Sequence, residues 1–158
     1  MKLSKIFFST VRCASMMLTI WLATSSSANA QHSASDLLRS DNWEIINTLE
    51  YRLEKNNDIF PIFSEKLKTH SNKEFELTGY LIPIREGLNQ TRFLLSTLPI
   101  NQCFYCGQNG IPAMILVEMT EGIKFTNRPL RLKGKLKLKN VNLRDYPPIT
   151  LTSAVEYK

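Results

Sequence analysis

Apolar and polar residues alternate with a period of two through most of the second half of the chain. The longest run is Leu130-Arg131-Leu132-Lys133-Gly134-Lys135-Leu136-Lys137-Leu138-Lys139. Period two sends successive side chains to opposite faces of a strand. Leu130, Leu132, Gly134, Leu136 and Leu138 therefore share one face, and Arg131, Lys133, Lys135, Lys137 and Lys139 the other. The same period starts at Glu74. Phe75, Leu77, Gly79, Leu81 and Pro83 fall on one side, and Glu76, Thr78, Tyr80, Ile82 and Ile84 on the other. Gly79 and Pro83 inside this run predict a bend or an edge position. Glu86-Gly87-Leu88-Asn89 predicts a turn, followed by a second strand over 91–95. A third strand, expected to be the most buried, is predicted over 113–119, with a turn at Glu121-Gly122. The basic run at 130–139 is the fourth strand. Tyr146-Pro147-Pro148 breaks it off, and 149–156 is the fifth.

Upstream the period changes. Trp43, Ile46, Leu49 and Leu53 recur at helical spacing, with Ile45 beside them, which predicts an amphipathic helix over about 42–55. Asp41 is a suitable N-cap and Glu44 follows it three residues on, as in a capping box. Asn56-Asn57 ends the helix, and Trp43 is expected to anchor it to the core. Pro61 in Phe60-Pro61-Ile62-Phe63 forbids simple helix continuation, and its apolar neighbours are expected to plug the bottom of a sheet. Ser64 caps a short turn, and 69–73 is a polar connector. One helix and then five short strands predict a mainly β protein, a small five-stranded OB-like barrel preceded by one amphipathic N-terminal helix.

The first thirty residues stand apart from this pattern. Lys2, Lys5 and Arg12 precede an apolar run at 14–23, and small residues lead to Ala28-Asn29-Ala30. This is the build of a secretory signal peptide cut after Ala30, and the run is too short for a permanent membrane span. The expected organisation is a leader over 1–30, a tail, helix and connector packed on the barrel over 31–72, and the barrel over 73–158. The location expected is periplasmic or secreted. Cys13 precedes the apolar run and is badly placed to accept a lipid. Of the 158 residues, 17 of the 20 bases and all 14 acids follow Ala30, so the remaining chain carries +3. That is too mild a charge to argue for nucleic acid, and none is expected as a partner.

Candidate chemistry concentrates in Asn101-Gln-Cys103-Phe-Tyr-Cys106-Gly107-Gln-Asn-Gly110-Ile-Pro112. Covalent haem needs a histidine after the second cysteine, and Gly107 stands there. A thioredoxin-like dithiol needs a helix starting at the motif to lower the first thiol's pKa. Gly107, Gly110 and Pro112 argue against one. Thiol–disulfide redox chemistry stays only as a third alternative, behind two other readings. In an oxidising compartment the pair forms a disulfide that stiffens the loop, with a modest gain for so short a ring. Alternatively, Cys103 and Cys106 bind a metal, with Gly107 and Gly110 as backbone hinges. Structural zinc wants four ligands. Only His32 and His70 add imidazoles, both remote in sequence, whereas copper(I) accepts two thiolates with thioether help from Met114 or Met119. Those methionines lie in a predicted strand, where filling the core is the simpler role.

Phe104 and Tyr105 form an aromatic tip between the cysteines and are candidates for partner contact. So is the cationic face of Arg131, Lys133, Lys135, Lys137 and Lys139, for which an anionic membrane surface is the natural counterpart. The plainer reading is a solvated face that discourages strand-to-strand aggregation. Beyond Tyr80 and Tyr105 the strands supply no pair of exposed aromatics for stacking bases. No Ser/His/Asp set, phosphate loop or carboxylate pair stands out, which argues against hydrolysis.

Glu76-Leu-Thr-Gly79-Tyr-Leu-Ile-Pro83-Ile84, Phe93 to Ser96, the Cys103-Phe-Tyr-Cys106-Gly107 loop with Gly110, and the Gly134 strand occur together. In that combination the chain resembles a family of small exported bacterial proteins, catalogued as a domain of unknown function. In some of its branches a Gly-Tyr-hydrophobic-hydrophobic-Pro strand precedes a Cys-Phe-Phe-Cys-Gly loop. The resemblance runs from about Trp43 onward. It implies an OB-like barrel, an exported or lipoprotein location, and an association of some members with metal-ion transport complexes.

Overall fold

The computed structural model describes residues 37–100 and 113–157. In chain order these form α1 (Asp41–Ile46), β1 (Glu50–Leu53), β2 (Ile59–Ile62), α2 (Glu65–Lys68), β3 (Glu74–Pro83), β4 (Asn89–Ser96), β5 (Met114–Lys124), β6 (Leu130–Leu138) and β7 (Ile149–Glu156). The last five strands close a barrel in the order β3-β4-β5-β7-β6. Pairing is antiparallel throughout except between β5 and β7, which run parallel. This is a mainly β, five-stranded OB-like barrel with a short helix before it.

The inward positions of the period-two pattern build one core. Phe75, Leu77 and Leu81 come from β3, Phe93 and Leu95 from β4, and Ile115 and Val117 from β5. Leu132 and Leu136 come from β6, and Ile149 and Leu151 from β7. The bend expected at Gly79 is a close crossing of two strands. A Cβ there would lie 2.5 Å from Leu95 Cγ and 2.9 Å from the Ser96 carbonyl oxygen. β3 therefore runs against β4 with no space for a side chain at that point.

The predicted helix is much shorter than its apolar spacing implies. Ser40, not Asp41, is the N-cap, its side chain accepting from the Trp43 amide. Trp43 does anchor the helix: it is buried in the barrel core, and its Nε1 donates to the Thr78 carbonyl at 2.8 Å. The helix stops at Ile46 because Thr48 turns its hydroxyl back onto the Ile45 carbonyl at 2.6 Å, a local bond that competes with the helical ladder. Residues 50–53 then pair as a strand with 59–62. Asn57, at φ 65°, makes the turn between them, a conformation asparagine tolerates better than most residues. Leu49 and Leu53, whose spacing suggests a helix, sit on or before a strand.

The short capped turn after Ser64 is present as α2. Ser64 Oγ accepts from the Leu67 amide and shares a hydrogen bond with Thr48 Oγ1, while Leu67 is fully buried. The turn expected at Glu121-Gly122 is absent. β5 continues to Lys124, with Gln90 opposite Ile123 and Asn89 opposite Lys124. A Cβ at Gly122 would meet Thr91 Cγ2 at 3.2 Å, beside the register shift between Gln90 and Arg92. The glycine accommodates an irregularity in the ladder, and the chain reverses at 125–129 instead.

Candidate functional site

The cysteine segment leaves from one end of the β4–β5 pair. Ser96 lies opposite Met114, and one step further the Thr97 amide donates to the Ala113 carbonyl at 3.2 Å. Thr97 is also held from outside, its carbonyl accepting from the Leu38 amide at 3.0 Å. Leu98 is buried, and its amide donates to Ser96 Oγ at 3.1 Å. Cys103, Phe104, Tyr105, Cys106, Gly107 and Gly110 lie outside the described residues, as does His32. His70 is described: it packs edge-on against Phe75, ring centroids 5.3 Å apart. Among the described residues no group of three or more histidine, cysteine, aspartate or glutamate side chains gathers around a point that could hold a metal ion. Met119 packs against the core, as expected of a strand methionine, whereas Met114 lines a groove on the outside of the barrel.

That groove lies on the outward side of β4 and β5, the face on which OB barrels generally take ligands. The connection at 139–148 and the β1–β2 hairpin form its walls. They are tied together: the Leu143 amide donates to the Ile59 carbonyl at 2.8 Å, and Asn142 Nδ2 donates to Asp58 Oδ1 at 2.7 Å. Leu49, Tyr51, Leu94, Met114, Leu143 and Pro147 are among the residues lining a volume of about 380 Å³, within the range of small-molecule pockets. Partial burial at this groove, with about half of the residue still exposed, raises the Tyr51 phenol pKa above its usual value.

Further along the same face, Arg92 of β4 and Glu118 of β5 are opposite each other, Nε to Oε1 at 3.6 Å. Tyr146 closes over them. Its hydroxyl donates to Glu118 Oε1 at 3.0 Å, and its ring meets two cations, the Arg92 guanidinium 5.1 Å from the ring centroid and Lys139 Nζ 4.3 Å from it. The Arg92 Nε is buried and has no hydrogen-bond partner among the described residues; the ring face and nearby carboxylate offset part of that cost. Tyr146→Phe keeps the ring and removes only the bond to Glu118. It should lower the unfolding free energy by about 0.5–1.5 kcal/mol, read from a urea titration. No loss would mean that Tyr146 holds its connection by stacking alone.

The cations of β6 lie on the outward face as the alternation predicts, but most of them already have neighbours. Lys133 Nζ lies 2.9 Å from Glu74 and 3.9 Å from Glu76 across the β3–β6 pair. The hydrogen bond to Glu74 holds its pKa above the ordinary lysine value. Arg131 stacks over the Tyr157 ring at 4.8 Å, and Tyr157 in turn donates to Glu76. Lys137 donates to Asn72 Oδ1 at 2.5 Å, and Lys139 faces Tyr146. Lys135 has no such contact among the described residues. Sequence reading did not single out Arg92, Glu118, Tyr146 or Tyr157. The first two could have been found as outward, oppositely charged positions on consecutive strands. The two tyrosines carry no periodic signal. No family model, curated protein or solved structure matches this chain.

Proposed function

We propose that the chain is an exported, non-enzymatic OB-like protein that uses Cys103 and Cys106 to bind a transition metal, as an accessory to metal transport. The observation that carries this reading is the closed frame on either side of the motif. Thr97 and Ala113 are hydrogen-bonded just beyond the ends of neighbouring strands, and β5 follows within two residues of Pro112. Gly107, Gly110 and Pro112 argue in sequence against a helix starting at the motif, the device that activates a catalytic dithiol, so binding fits better than redox turnover. Two thiolates suit copper(I); zinc needs further ligands, which a second copy of the chain would supply. Met114, at the foot of the connection, is a thioether within the same region of the fold.

The expected outcome is copper or zinc co-purifying under reducing conditions, about one ion per one or two chains, and lost in the double variant Cys103→Ser, Cys106→Ser. Equal, near-zero metal in both proteins rejects the reading.

A second reading is favoured by the apolar groove beside Ala113 and Met114: a docking module whose loop is stiffened by a Cys103–Cys106 disulfide, with Phe104 and Tyr105 as contacts. It predicts an intact mass two protons lower before reduction than after.

A further inference from the structure

The end of the barrel opposite Thr97 and Ala113 carries a different surface. β3 and β5 run in the same direction, so the connections that follow them, 84–88 and 125–129, emerge together. They are joined by a hydrogen bond from the Phe125 amide to the Leu88 carbonyl at 2.9 Å. Three large apolar side chains project there: Ile84, Phe125 and Leu88, the last 81% exposed. The 84–88 connection is not a loosely held loop. Gln90, almost fully buried, turns its amide into the connection from below, donating to the Gly87 carbonyl at 2.5 Å and to the Arg85 carbonyl at 3.3 Å. Gly87 takes φ +119°, a conformation side chains rarely adopt. A buried polar group and a glycine-only backbone thus hold Leu88 out into solvent, where an aliphatic side chain gains nothing from water.

Charge completes the pattern. Residues 84–88 and 123–129 contain three bases, Arg85, Lys124 and Arg128, all exposed, against one acid, Glu86. Two aliphatic side chains and an aromatic one at a tip, with three exposed cations on the same segments, match the interface of an anionic bilayer. There the apolar groups enter between headgroups and the cations meet phosphates. We propose that this tip is a peripheral docking site for an anionic lipid surface. The β6 stripe is less suited to that role, because Arg131, Lys133 and Lys137, and Lys139 just beyond the strand, engage neighbours in the fold. The inference does not depend on what Cys103 and Cys106 bind.

The test is co-sedimentation of the chain, recovered after export and with its N-terminus determined, with vesicles of phosphatidylglycerol and phosphatidylcholine. Binding should be strong at low salt, fall steeply as salt rises, and be weak to phosphatidylcholine alone. Leu88→Asp should weaken it about tenfold or more. Single changes of Arg85, Lys124 or Arg128 to serine should each weaken it about fivefold. Leu88 is so exposed that the variant should melt with the parent, which circular dichroism checks. Lys135→Ser with Lys137→Ser should leave binding unchanged. No sedimentation of the parent protein, equal binding by Leu88→Asp, or loss in the β6 double variant alone would each overturn the assignment.

Discussion

Trp43→Ala is expected to lower the unfolding free energy by about 4–5 kcal/mol, near the upper end for aromatic truncation in a core. The indole is only 2% exposed and packs with residues from both short helices and the barrel strands. Its removal leaves a cavity bounded by rigid β-structure that cannot readily collapse. It also strips the Thr78 carbonyl of its 2.8 Å donor. Trp43→Phe separates the two contributions. It keeps most of the ring volume and loses the hydrogen bond, so its cost should be about 1–2 kcal/mol. Urea titration measures both. The alanine variant should unfold about 2–3 M urea earlier for a domain of this size, with an unchanged slope. Equal costs for the two variants would show that the hydrogen bond, not the packing, fixes α1 to the barrel. Since ordinary domains have only about 5–15 kcal/mol in reserve, the alanine variant should also accumulate poorly in cells.

Gly79→Ala should cost about 2–3 kcal/mol through overpacking. The added methyl would need to occupy a point 2.5 Å from Leu95 Cγ and 2.9 Å from Leu95 Cδ1. Leu95 has no exposed surface, so it cannot swing aside into solvent. The backbone oxygen of Ser96, also 2.9 Å away, can retreat only if β4 shifts from β3. That shift would also disturb the Tyr80–Ser96 pair immediately alongside. Gly134 is a similar case, with the Thr152 carbonyl oxygen 2.8 Å from the position of its Cβ. Gly87→Ala is the useful contrast. Among the described residues nothing lies within 4 Å of its added methyl, and the cost there comes from φ +119°. A loss below about 0.5 kcal/mol for Gly79→Ala would mean that the barrel relaxes at this crossing far more easily than a close-packed interior should.

The strands were legible because their two faces meet different surroundings. In β3 and β6 the inward residues are buried with little exception, and a period of two is all that such a boundary requires. The helix was over-extended for a related reason. Leu49 and Leu53 continue the spacing of Trp43 and Ile46, yet helical and strand periods overlap over so few residues. What decided between them was a hydroxyl bond at Thr48 and the partner strand at 59–62, both long-range or side-chain effects that periodicity does not carry. Gly122 misled in the other direction, because a glycine that relieves a ladder irregularity reads in sequence like a glycine that turns. The chemistry of the β6 face was harder still. Alternation places five cations together, but the ion pairs of Lys133 depend on Glu74 and Glu76 of the adjacent strand, some sixty residues earlier in the chain. Arg92 and Glu118 needed the register of β4 against β5, which the shift at Gln90 offsets.

The seat of β7 between β5 and β6 has a consequence for how this chain acquires its shape during synthesis. Until Ile149–Glu156 arrives, β5 and β6 each present a row of unsatisfied amides and carbonyls, and the cylinder has a gap one strand wide. A nascent chain emerging from its amino end is therefore an open curved sheet, prone to pairing with other open sheets. The many contacts between distant segments make closure slow relative to helical proteins. The cationic side chains of β6, directly beside the vacant position, are of the kind that opposes edge-to-edge pairing between like-charged copies.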